Sequence, residues 1–242
     1  MHSNGTTPEA PLTNSGQESE SESARQQDGS GRAARQQMTN LREQFGEIDI
    51  YLFDQLLKGR IRHGMSILDA GCGGGRNLVY FLRNAYEVFG VDQDSGAIMQ
   101  ARRMASVLHP ALPVENFVVS GVEEMPYAAE RFDVVISSAV LHFARDERRF
   151  HSMIDEMWRV LKPGGLFFSR LASSIGIEKL ITPVEGRRFL LPDGTERFLV
   201  DEEMLTSTAS RLKAQWLEPL KTTNVQNQRC MTTWTLRKRE TD

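Results

Sequence analysis

An aspartate and then four glycines in five positions stand in the stretch ILDAGCGGGRNL, Ile67 to Leu78. Apolar residues lead into Asp69, and a helix-like sequence leaves from Arg76. Glycines permit positive φ and let backbone approach a ligand closely. Between a strand and a helix, such a loop turns helix-end amides toward whatever binds there. The spacing then discriminates between ligands. A dinucleotide fingerprint takes glycines at the first, third and sixth positions of the turn. Counted from Gly71 the third is Gly73, but the sixth is Arg76, which argues against a nicotinamide oxidoreductase. A P-loop needs Lys followed by Ser or Thr, and neither follows. What remains is Asp69, Gly71, Gly73 and Gly75 on alternate positions, with Asp92 ending the next apolar run.

Other reactive side chains are few. His142 is the candidate general base, with a structural histidine that bonds loop backbone as the equal alternative. His63, His109 and His151 have no partner pattern. Arg170 is expected to pair with a loop carboxylate, and Arg187, Arg188 and Arg197 to form a solvated face. Cys72 reads as a small filler of the glycine loop. Cys72 and Cys230 have no metal-ligand spacing and are too few for a disulfide framework, so no metal is expected and a reducing cytoplasm is.

The elements that must hold these residues alternate. MSILDA and YEVFGVD read as short buried strands, with a helical stretch from Arg76 to Asn84 between them. Ser95 is the expected cap of the next helix, which Pro110 stops. NFVVS, FDVVISS and LFFSRL supply three more strands; Phe150, Met153, Ile154, Met157, Trp158 and Leu161 keep helical spacing before the last. The turn KPGG is expected to end that helix. Five alternations of mostly apolar strands with helices predict an α/β, doubly wound, mostly parallel sheet. WLEPLKTTNV and CMTTWTLRK are expected to close it as an antiparallel pair. RRFLLPDGTERFLV reads as a hairpin turning at Pro192, Asp193 and Gly194, within an insertion over 172–200 that we expect to be a lid, with a packing loop as the equal alternative.

The D-x-G-x-G-x-G spacing after a strand resembles motif I of the class I S-adenosylmethionine-dependent methyltransferases. Asp92 at the end of the second strand, EEMPY after the third, FDVVISSAVLHF at the fourth and LKPGG before the fifth resemble the family's later segments, in order. The resemblance is close over about residues 60–170, is of the type 11 kind, and implies a seven-stranded Rossmann-like fold with S-adenosyl-L-methionine as cofactor. GRN at the helix start is similar to the tellurite-resistance methyltransferases. By family geometry, backbone at Gly71 and Gly73 lies against the methionine end, with Cys72 and Asn77 in the same binding loop. Asp69 orients the loop or meets the ammonium through water, and the Ser137 carbonyl is a further ammonium acceptor. Asp92 takes the ribose hydroxyls, and Gln93 and Val122 flank adenine. Many relatives carry an aspartate where this chain has Gly121, so the adenine amino group is left to Glu123, water or nothing.

The wider chain bounds this reading. A net charge of −3 gives no footprint for nucleic acid or an anionic membrane. No apolar run approaches a membrane span, and the N-terminus lacks the order of a signal peptide. Residues 1–38 are too polar to offset their ordering entropy and are expected to be a disordered tail, leaving 39–242 as the domain. The expected protein is a cytoplasmic methyltransferase, monomer or homodimer, acting on a small-molecule acceptor by in-line displacement. A non-catalytic binder or partner of the same ligand is the alternative.

Overall fold

The computed structural model describes residues 41–240, so the expected tail at 1–38 lies outside the described residues. In the unit that begins at Gln44, α1 (Ile50–Leu57) precedes β1 (Ser66–Ala70). Then follow α2 (Val79–Arg83), β2 (Glu87–Asp92), α3 (Ser95–Leu108), β3 (Phe117–Val119), β4 (Phe132–Ser138), α4 (Glu147–Val160) and β5 (Leu161–Ser173). The order along the sheet is β3-β2-β1-β4-β5, all parallel. After β5 come β6 (Thr182–Glu185), β7 (Arg188–Leu190), β8 (Glu196–Phe198) and α5 (Glu202–Arg211). The chain closes with β9 (Gln215–Trp216), β10 (Lys221–Val225) and β11 (Arg229–Arg237). β11 runs antiparallel to β5 and carries β10 on its far side, so the expected antiparallel closing pair is present.

The sheet is buried on both faces because its strands are apolar at odd and even positions alike. Leu68 and Val135 pack with α4 and α5 on one face; Ile67, Val134 and Ile136 pack with α1, α2 and α3 on the other. Four of the helices begin on an aspartate whose carboxylate accepts from a first-turn amide: Asp49, Asp94, Asp146 and Asp201. Asp94 displaces the expected cap Ser95, which becomes the first helical residue. A carboxylate takes both the Gly96 and Ala97 amides there, at 2.7 and 3.4 Å.

Two other expectations shift. The KPGG turn lies inside β5: the strand starts at Leu161, and its register against β4 slips between Phe132 and Val134. The hairpin at Pro192–Gly194 forms, with Gly194 at φ +79, but β6 joins it to make a separate three-stranded sheet. This sheet rests on a small apolar cluster of Ala172, Leu191 and Leu199. It is tied to the main unit by Arg187, which pairs with Glu147 and Asp201 at 3.1 and 2.8 Å.

Candidate functional site

β1 lies between β2 and β4, which is where the order along the sheet reverses and where a crevice opens at the strands' carboxyl ends. The glycine loop folds into that crevice. Amides of Gly71 and Cys72 both donate to the Val91 carbonyl, at 2.8 and 2.9 Å, and the Gly73 amide donates to Oδ2 of Asp92 at 2.8 Å. Oδ1 of Asp92 accepts from the Asp94 amide at 2.9 Å, so this one carboxylate joins the loop to the start of α3. Gly71 has φ +82, and a Cβ there would collide with the Val140 side chain. Gly73 has φ +52, but a Cβ there would meet nothing within 4 Å. The space beside Gly73 therefore belongs to a cleft of about 440 Å³, lined also by Cys72, Arg76, Asn77 and Ser138.

Asp69 lies beneath this loop, almost wholly buried, and neither carboxylate oxygen has a hydrogen-bond partner among the described residues. Burial pushes its carboxyl up to about 7; the Arg76 charge pulls the other way, and Asp92 adds to the rise. Beside it sits a cluster that sequence reasoning missed. Buried Asp49 accepts from Ser138 Oγ and from Arg170 Nη1, each at 3.2 Å, and its own amide donates to Asn77 Oδ1 at 3.0 Å. Arg76 donates to Ser138 Oγ at 2.9 Å. The loop carboxylate expected for Arg170 is thus Asp49, and the guanidinium also lies 5.4 Å over the Tyr51 ring. Through Oδ1, Asn77 braces the helix cap of α1. Ser137 is fully buried in β4 and lines neither this cleft nor its neighbours; Ser138 reaches the cleft in its place. Burial also pushes the Cys72 thiol up, which keeps it un-ionised as a filler.

A second cleft, of about 190 Å³, continues from Gly71 and Asp92 toward β3 and is lined by Gln93, Val122 and Glu123. Oε1 of Glu123 pairs with Arg149 at 2.8 Å, while Oε2 is buried with no hydrogen-bond partner. The carboxylate folds back over Gly121, where a Cβ would stand 2.9 Å from Oε2. A side chain at 121 would have to displace the Glu123 carboxylate, which occupies that space from two residues later.

A third cavity, of about 290 Å³, meets both clefts at Ala139. His142, Arg170, Arg197 and Arg229 line it, with Asp193 and Thr195 from the hairpin. The expected solvated face is therefore only partly right: Arg188 pairs with Glu196, but Arg197 points to this cavity and packs 5.0 Å over Phe143. No pattern in the sequence separates Arg197 from its neighbours, because the hairpin's register decides it. Nδ1 of buried His142 accepts the Ala172 amide at 3.2 Å, so the proton of the neutral ring sits on Nε2. Burial, helped by Arg197 and Arg229, lowers the ring's pKa to about 4.

The family described as methyltransferase domain matches residues 68–169, the stretch that carries the glycine loop, Asp92 and the fourth and fifth strands. Residues 68–169 form a class I S-adenosylmethionine-dependent methyltransferase domain. The chain is 32% identical over 124 residues to the uncharacterized methyltransferase YodH of Bacillus subtilis, covering 51% of this chain and 49% of that one. It is 32% identical over 136 residues to a malonyl-(acyl-carrier protein) O-methyltransferase of Salmonella typhimurium, covering 56% and 49%. The chain spans about half the length of these curated relatives. Its fold matches the 1,6-didemethyltoxoflavin-N1-methyltransferase of Burkholderia thailandensis, solved with S-adenosylhomocysteine bound. The TM-score is 0.60 at 17% identity, covering 96% of this chain and 94% of that one.

The methyltransferase domain brings most of the expected residues together. Gly71, Cys72, Gly73, Asn77 and Asp92 line the loop cleft; Gln93, Val122 and Glu123 line the next; Asp69 lies beneath. Three features fit the S-adenosylmethionine of such domains. Asp69 offers orphaned acceptors at the loop end, Glu123 offers one at the far end, and the Gly73 position leaves space that a side chain would fill.

Proposed function

We propose that this chain binds S-adenosylmethionine along the two joined clefts and transfers its methyl group to a small-molecule acceptor in the arginine-lined cavity. The observation that carries the reading is the meeting of all three spaces at Ala139, beyond the end of β4. In this reading Asp69 and the Gly71–Gly73 backbone face the methionine end, and Asp92 takes the ribose. Val122 and Gln93 flank adenine, and Oε2 of Glu123 accepts from its amino group. The cofactor supplies an already electrophilic methyl group, which leaves the chain to align the acceptor in line and exclude water.

His142 then serves as an orienting donor. Its single acceptor nitrogen is held by the Ala172 amide, so the ring presents N–H to the cavity and takes up no proton from an acceptor. The acceptor atom therefore arrives in the ionisation state in which it reacts. The sheet of β6, β7 and β8 lends Leu191, Asp193, Thr195 and Arg197 to the cavity wall, and we assign it the role of a lid.

The test is release of S-adenosylhomocysteine by the full chain across thiols, chalcogen oxyanions, phenols, amines and carboxylates, with cofactor binding measured by calorimetry. Turnover in one class, abolished in Asp92→Ala, is the expected result. Absence of cofactor binding would overturn the reading; binding without turnover of any class would favour a non-catalytic binder.

A further inference from the structure

The arginine-lined cavity also carries information about its occupant, on the reading that it is the acceptor site. Three guanidinium groups border it. Arg170 contacts Asp49 through Nη1, and Arg229 lies 3.5 Å from Asp193. Arg197 has no carboxylate partner among the described residues; its one hydrogen bond goes to the Glu196 carbonyl, at 2.7 Å. Three cations against two carboxylates leave one positive charge uncompensated. Arg197 is half-buried, and a guanidinium that faces a cavity without a carboxylate partner offers its charge to an anion.

Geometry narrows the choice. Arg170 Nε is buried with no hydrogen-bond partner, an orphaned donor on a side chain of the cavity wall. The Arg197 guanidinium lies 5.0 Å over the Phe143 ring and donates from Nη1 to the Glu196 carbonyl, which restrains it while its other N–H groups remain for a carboxylate. Apolar Ala172, Leu191 and Met231 complete the wall, so the cavity suits an organic body with one anionic group. One excess positive charge matches a monoanion and is too little for a phosphate dianion. A volume of about 290 Å³ also limits the part enclosed to a small molecule or the end of a larger one.

We propose that the cavity recognises its acceptor as a small organic carboxylate, held by Arg197 together with the free donor of Arg170. Asp193, itself fixed by Thr195 Oγ1 at 2.6 Å, keeps Arg229 at the rim and prevents the cavity from accumulating charge for a dianion.

Binding is read directly on the full chain loaded with S-adenosylhomocysteine. Arginine side-chain resonances are followed while benzoate, malonate monoamide, benzamide or inorganic phosphate is added at constant ionic strength. The expected result is a saturable shift of Arg197 and Arg170 with either carboxylate, at least tenfold weaker binding of benzamide and phosphate, and loss of the shift in Arg197→Gln. Arg197→Lys keeps the charge without the fork and should recover only part of the affinity. Equal response to benzamide, tighter binding of phosphate, or no saturable carboxylate response would overturn the proposal. Calorimetry of S-adenosylmethionine on the same samples separates the two failures. Intact cofactor binding with no carboxylate binding removes only this inference, whereas loss of cofactor binding in the unmodified chain removes the methyltransferase reading as well.

Discussion

The Gly73 amide donates to Oδ2 of Asp92 at 2.8 Å, so the glycine loop is held open by the same carboxylate that ends β2. Asp92 is thereby a support as well as the proposed ribose contact, since its other oxygen takes the Asp94 amide. Asp92→Ala should leave both amides without their acceptor and cost about 1–3 kcal/mol in stability. Cofactor affinity should fall further, by about a hundredfold, because ribose contacts and loop geometry go together. Urea unfolding and calorimetry on one preparation check this. An unchanged affinity would show that Asp92 is only a brace.

Gly71 and Gly73 differ in what a side chain would meet, and their alanine variants should fail differently. At Gly71 the positive φ is joined by a collision with Val140, so Gly71→Ala should destabilise by more than about 2 kcal/mol. At Gly73 there is strain but open space, so Gly73→Ala should fold with a loss of about 1 kcal/mol. Its methyl group would instead occupy the cleft, and cofactor binding should weaken at least tenfold. Similar stabilities for the two variants, in parallel thermal melts, would refute the distinction.

Much of this site was legible in the sequence because backbone spacing encodes it. Alternating glycines after a strand, and an aspartate ending the next strand, are local patterns, and the fold places both at one crevice. Asp49 was not legible: it lies far from Ser138 and Arg170 in sequence and meets them only when α1 docks. Arg197 was hidden for a related reason, since the third strand β6 and the hairpin register decide which of three arginines turns inward. Ser95 and Asp94 are both good caps by type, and only loop geometry chose the carboxylate. Gly121 was visible as a departure, but its cause, the returning carboxylate of Glu123, depends on a rotamer.

That relationship gives a third prediction. Gly121→Asp, the side chain that the family resemblance leads one to expect there, should set two carboxylates against each other and clash with Oε2 of Glu123. Cofactor affinity should drop about tenfold or more. Adding Glu123→Ala should recover most of it, because the aspartate then has the space and the amino group to itself. Failure of the second substitution to rescue binding by calorimetry would place the adenine contact elsewhere.

Asp69 and His142 should tilt the stability of the fold in opposite directions between about pH 4 and 6.5. Burial raises the Asp69 carboxyl from 3.8 to about 7, so the folded state binds the proton more tightly than the unfolded chain. Its contribution is full below the unfolded value and is lost as pH rises through about 7. The His142 ring is lowered from 6.5 to about 4, so here the unfolded chain holds the proton more tightly. That contribution is full above about 6.5 and is lost as pH falls toward 4. Each slope is at most about 1.4 kcal/mol per pH unit, and in the unmodified chain they largely cancel. Asp69→Asn should expose the histidine slope, with stability rising from about pH 4.5 to 6.5 and level above. His142→Gln retains an acceptor for the Ala172 amide and should expose the carboxyl slope, with stability falling from about pH 4.5 to 7. Urea midpoints across that range decide the matter: three parallel profiles would mean that neither group carries the charge state argued for it. The same states bear on function. If Asp69 faces the cofactor's ammonium as proposed, it must ionise to do so, and cofactor affinity should rise through about pH 7 and become level in Asp69→Asn.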